Sequence, residues 1–163
     1  MVDAFRQGEG IPQMTALLLI LALITPAHAW EPPARARSYM PAIEAAREAH
    51  NLPDGLLARL LHEESRYRRD VIAGHTISPR GAVGIAQFMP ETANDLGVDP
   101  RNPKCSIYAA AEYLAWLKEH TGSWRDALAA YNWGIGRVWL HGRESAPRET
   151  RRFVRRIARD VDL

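Results

Sequence analysis

From residue 39 onward the apolar positions recur at helical spacing, and no two runs alternate convincingly as a strand pair would. Ile43, Ala46 and Ala49 set one helix over Tyr39–His50, which Asn51-Leu52-Pro53-Asp54 breaks. Asp54 is the expected N-cap of a leucine-rich helix over 55–67. Residues 70–84, rich in Gly, Pro, Ser and Thr, read as a loop with room for a short hairpin. Pro90 suits the first turn of a helix running to Leu96 and closed by Gly97. After a second loop at 99–105, Ser106 would cap a long helix to about His120, with Ile107, Ala110, Ala111, Leu114 and Leu117 on one face. Thr121-Gly122 ends it. A further helix spans Trp124–Asn132, two glycines punctuate WGIGRVW, and Phe153, Val154, Ile157, Ala158 and Val161 predict a last helix over 149–161. The pattern predicts an all-α domain, with at most a minor hairpin: six or seven short helices around one core.

One position disturbs the pattern. Leu56, Leu57, Leu60 and Leu61 span roughly 140° of the helical wheel, and Glu64 falls near the centre of that arc. Glu63 lies roughly 90° to one side and reads as a bystander. A carboxyl group on an apolar face is desolvated and keeps its proton to higher pH, as a general acid must. The bland alternative is an acid at the end of the stripe that reaches water or pairs with Arg68.

Composition narrows the setting. The 163 residues are 47% hydrophobic and 25% charged, which fits one globular domain, or one domain plus a removable segment. A net charge of +2 gives no case for nucleic acid. Residues 15–29, TALLLILALITPAHA, have the apolar core and small-x-small end of a secretory signal, with cleavage expected after Ala29. Asp3 and Glu9 spoil the usual positive start, so initiation at Met14, an uncleaved anchor or a buried helix are alternatives. Residues 1–29 hold one arginine and two acids, so the remainder carries +3. Residues 30–38 read as a linker and 39–163 as the folded domain, exported to the periplasm or cell envelope. The single Cys105 cannot form an internal disulfide and is expected to be buried.

The surroundings of Glu64 change the odds. Glu64-Ser65 is followed by Gly84-Ile85-Ala86-Gln87, Pro90-Glu91-Thr92-Ala93, Ala130-Tyr131-Asn132 and Gly134-Ile135-Gly136. Five elements in this order, within about residues 39–157, resemble the lysozyme-like lytic transglycosylases of the soluble (SLT) type, which are similar to goose-type lysozymes. The resemblance implies a lysozyme-like fold with a glycan cleft and Glu64 as the sole catalytic acid and base. Ser65 would orient it or contact sugar, Gln87 and Asn132 would hydrogen-bond the glycan, and Tyr131 would shape the cleft beside the acid. Ala86 stands where the family has methionine, so one cleft wall is either more open or supplied by Met89. Phe153 replaces a common tyrosine, and VIAGHTI lengthens the loop before Ser78.

A single acid suits a substrate that carries its own nucleophile. The implied reaction cleaves the bond between N-acetylmuramic acid and N-acetylglucosamine in peptidoglycan and leaves a 1,6-anhydro end. A hydrolase using water, and a non-catalytic wall-binding accessory, are the alternatives. No metal or cofactor is expected, since the six histidines are scattered. The expected partner is the glycan strand, with a secretion, conjugation or phage apparatus as a further possibility; a monomer is expected. From Arg137 onward eight arginines face four acids, either as a solvated helix face or as a patch for an anionic wall polymer.

Overall fold

In the computed structural model, which describes residues 30–163, the apolar spacings resolve into eight α-helices and two 3₁₀ turns. The helices are α1 (Met40–Ala49), α2 (Leu56–Ser65), α3 (Arg69–Ile72), α4 (Pro90–Asp95), α5 (Pro103–Thr121), α6 (Trp124–Trp133), α7 (Ile135–His141) and α8 (Arg148–Asp160). The class is all-α, as predicted. Among the described residues the β component is one isolated antiparallel bridge, Val83 to Phe88. Two helices exceed the six located from sequence. α3 is a single turn at the start of the expected 70–84 loop, and α7 hides behind the glycines of WGIGRVW. Gly134, at φ 100°, both ends α6 and starts α7, so the glycine changes the chain's direction rather than ending the helical run.

α5 runs through the middle and packs on α1, α6 and α7, while α8 lies across α6 and α2. Its Ile107, Ala110, Ala111, Leu114 and Leu117 are fully buried, as are Leu56, Leu57, Leu60 and Leu61 of α2. Each buried leucine contributes about 1.5–3 kcal/mol of apolar transfer. The alanines of α5 let its neighbours approach closely.

Several helix ends differ from expectation. Gly55, left-handed at φ 71°, precedes α2, and Asp54 reaches back to Arg47 at 3.1 Å instead of capping. α5 starts earlier than predicted because the side chain of Asn102 accepts from the Cys105 amide and Pro103 fills the first turn. Ser106 is instead buried, its hydroxyl donating toward the carbonyls of Asp99 and Pro100. Cys105 is exposed rather than buried, because it sits in that first turn of α5. Gly122, at φ 86°, closes α5 as predicted.

Within residues 30–38, expected as a linker, Trp30 and Ala36 pack against the domain while most of the others are exposed. The Trp30 ring lies 5.4 Å from His62 and under the Arg59 guanidinium at 5.3 Å, and Ala36 is fully buried. The expected signal segment, 1–29, lies outside the described residues. None of the described helices is long and apolar enough to cross a membrane.

Candidate active site

The leucine stripe of α2 fixes the direction of its last turn, and a chain reversal stops the helix there. α2 ends at Ser65, two residues short of the predicted end, because Arg66 and Tyr67 are both left-handed at φ 53° and 52°. Such geometry costs non-glycine residues on the order of 1 kcal/mol each, so it must be held. Ser65 Oγ donates to the Leu61 carbonyl at 3.0 Å and accepts from the Tyr67 amide at 3.1 Å. The Tyr67 hydroxyl donates to the Ala58 carbonyl at 2.8 Å, and the whole side chain is 1% exposed. The Ser65 hydroxyl is therefore buried and occupied by backbone: it fixes the helix end that carries Glu64.

Glu64 and Glu63 then part company. Glu64 is partly buried, and among the described residues nothing hydrogen-bonds its carboxyl group. Burial first, and the charge of Glu63 second, push it up to about 8. Glu63 turns toward α8, its side chain only 1% exposed. It pairs with Arg59 at 2.6 Å, Arg66 at 3.1 Å and Arg156 at 2.6 Å, and Arg59 also holds Asp160 at 2.8 Å. Burial pushes the Glu63 carboxyl up; hydrogen bonds from Arg156 and Arg59, with the charges of Arg59 and Arg66, outweigh that and hold it below its ordinary value. Glu63 is thus no bystander. It ties α2 to α8.

The facing wall comes from residues 84–89 and α6. Gly84 has φ 83°, and a Cβ there would lie 1.8 Å from the Pro100 carbonyl oxygen, so only glycine lets the two loops meet. The tight turn places Gln87 at φ 49°, with Nε2 donating to the Gly84 carbonyl at 2.9 Å. Ala86 is fully buried, and its carbonyl accepts from the Tyr131 hydroxyl at 2.9 Å. Met89, 40% exposed, is the surface methionine of this wall. The Tyr131 ring packs against Phe88 (6.1 Å) and Tyr113 (5.7 Å). Burial, then the charge of Glu64, then Tyr113 raise the Tyr131 hydroxyl well above its ordinary value. Glu64, Tyr131 and the 84–88 turn thus share one neighbourhood. Asn132 is partly exposed, and its Oδ1 accepts from Thr150 Oγ of α8 at 2.8 Å.

Sequence reasoning passed over Arg59, Tyr67, Tyr113, Thr150, Arg156 and Asp160. Arg59 was within reach, as it stands four residues before Glu63 on one helix face. Tyr113 sits on α5 and meets Tyr131 only once α5 and α6 pack. The α8 residues lie far along the chain, and no local pattern announces them.

A carboxyl group that stays protonated near neutral pH and keeps an open edge can deliver a proton to a bound leaving group. Beside it stands Tyr131, whose hydroxyl is hydrogen-bonded to the Ala86 carbonyl, and the 84–88 turn that this bond holds carries Gln87.

Comparison with known proteins points the same way. Over 132 residues the chain is 33% identical to membrane-bound lytic murein transglycosylase F of Maricaulis maris, covering 76% of this chain and 26% of that protein. The corresponding protein of Pasteurella multocida is 33% identical over 120 residues, covering 63% of this chain and 23% of its own length. A transglycosylase of Enterobacteria phage PRD1 is 34% identical over 97 residues, with 59% and 35% covered. The chain therefore spans about a quarter of the first two relatives. Its fold matches an inactive glutamate-to-glutamine mutant of lytic transglycosylase Slt from Pseudomonas aeruginosa, with TM-score 0.62 and 22% identity over 76% of this chain and 23% of that one. The transglycosylase SLT domain model matches residues 41–154, so the chain belongs to the transglycosylase SLT domain family.

Proposed function

We propose that this chain is a peptidoglycan lytic transglycosylase with Glu64 as its single acid and base. The observation that carries the reading is the Glu64 carboxyl group, pushed up to about 8 on an otherwise apolar helix face beside Tyr131. Glu64 protonates the oxygen linking N-acetylmuramic acid to N-acetylglucosamine, and the bond from muramoyl C1 to that oxygen breaks. The carboxylate left behind takes the proton of the muramoyl C6 hydroxyl, whose oxygen closes onto C1. Glu64 regains its proton, and the product carries a 1,6-anhydro end.

Gln87, Met89, Tyr131 and Asn132 are assigned to the glycan, and Ser65 to holding the end of α2. Curated relatives that are membrane-bound murein transglycosylases support a place in the cell envelope. A transglycosylase of a phage among the relatives supports a phage link as the finer reading of its partners.

Digestion of purified sacculi followed by mass spectrometry of the fragments tests the reaction. Anhydro ends from wild type, and none from Glu64→Gln, are expected. Reducing ends would assign the chain to hydrolysis instead. Full lysis by Glu64→Gln would remove Glu64 from the chemistry.

A further inference from the structure

We propose that Glu63 is a positioning residue for the reaction: held ionised by arginines from two helices, its negative charge keeps the proton on Glu64. The inference rests on the acid role assigned to Glu64 above.

The geometry carries it. Adjacent side chains on a helix diverge by about 100°, so Glu63 and Glu64 point to different surroundings while staying close in space. Glu63 pairs with Arg59 of its own helix, Arg66 just past the end of that helix and Arg156 of α8, with His62 and Asp160 against Arg59. Trp30 of the N-terminal stretch covers Arg59 and His62. His62 is kept below its ordinary value by burial and by the charges of Arg66 and Arg59, so it adds little positive charge near neutral pH. An arginine does not lose its proton in a protein, so the cations holding Glu63 persist at every working pH. Glu64 faces Tyr131 of α6, which is itself raised and stays neutral.

Two neighbouring carboxyl groups resist ionising together, and the one with cationic partners ionises first. Here the partners are all on Glu63, and the charge of Glu63 is the second influence on Glu64, after burial.

The test compares the pH dependence of lysis for wild type, Glu63→Gln, Glu63→Asp and Arg156→Gln. The alkaline limb of kcat/KM reports loss of the essential proton from the free enzyme. In Glu63→Gln that limb should move down by about one unit, which is roughly tenfold less activity on the alkaline side and little change on the acid side. Glu63→Asp keeps the charge and should keep the limb. Arg156→Gln loses an ion pair but leaves Arg59 and Arg66 on Glu63, so it should lose stability without moving the limb. An unmoved limb in Glu63→Gln, or an equal shift in all three variants, overturns the proposal. Should Glu63→Gln not fold, carboxyl ¹³C titration of wild type decides: Glu63 must remain ionised throughout the range in which Glu64 takes up its proton. Glu63 titrating at or above Glu64 overturns it. Activity surviving in Glu64→Gln would instead sink the acid assignment, a separate failure.

Discussion

Between Glu63 and Glu64 the α2 backbone rotates by about 100°, and that rotation exchanges three arginines for an apolar surround. The raised Glu64 has a stability consequence whose sign is fixed. Below its ordinary value of 4.5, folded and unfolded chains both carry the proton. Between 4.5 and about 8 the unfolded chain releases it and the folded chain does not, so folding loses ground as pH rises. Above about 8 the penalty is constant. Glu64→Gln lacks it, and should be more stable than wild type by ~2 kcal/mol near pH 8, allowing for the part of the side chain open to solvent, with little gain near pH 4. Thermal unfolding of both proteins across that range checks this; equal melting temperatures throughout would show that Glu64 is not desolvated. Tyr131→Phe removes the donor to the Ala86 carbonyl, a bond worth about 1 kcal/mol, and should lower lysis several-fold while leaving the alkaline limb in place. Of these residues, wheel geometry alone placed Glu64 on the buried face. The setting of Glu63 depends on α8, and a local pattern cannot contain it.

At the scale of elements, the closest approach at any described glycine is the contact between the 84–88 turn and the loop before α5. Gly84→Ala would force a Cβ into the Pro100 carbonyl in a left-handed backbone, and should cost about 3 kcal/mol or more, read by urea unfolding. A cost under about 0.5 kcal/mol would mean the two loops are not so closely joined. Regular apolar spacing made α1, α2, α4, α5, α6 and α8 legible within a residue or two at most ends. Glycines that redirect the chain concealed α7, and a single turn inside a polar loop concealed α3. Asp54 and Ser106 were the right residue types for caps, but a left-handed Gly55 and the earlier Asn102 took those places. On α8, Arg148, Arg152, Arg155 and Arg159 fall within roughly 60° of one another, opposite the buried Phe153, Val154 and Ile157. All four are exposed, and among the described residues only Arg159 of the four has an ion-pair partner. Binding to sacculi should weaken as salt rises, and weaken less steeply once Arg148, Arg152 and Arg155 are changed to Gln. Binding indifferent to salt would leave the stripe as a solvated face.

Across the whole molecule, fold class, core and family lie in short-range order, in the period of the leucines and alanines and in five ordered motifs. What assembles the electrostatics of the acid is long-range. Arg156 reaches Glu63 across 93 positions of sequence, and Asp160 reaches Arg59 across 101. The packing of Trp30 is of the same kind, since it finds its place only on the finished surface of α2. Those separations have a meaning in time. A ribosome that has just made Glu64 must add more than ninety residues before Arg156 exists to meet its neighbour. A growing chain therefore holds its acid without its full setting, and that setting arrives only when α8 docks. For a protein whose proposed substrate is a cell wall, such an order of assembly leaves the joint between α2 and α8 open until the chain is nearly complete.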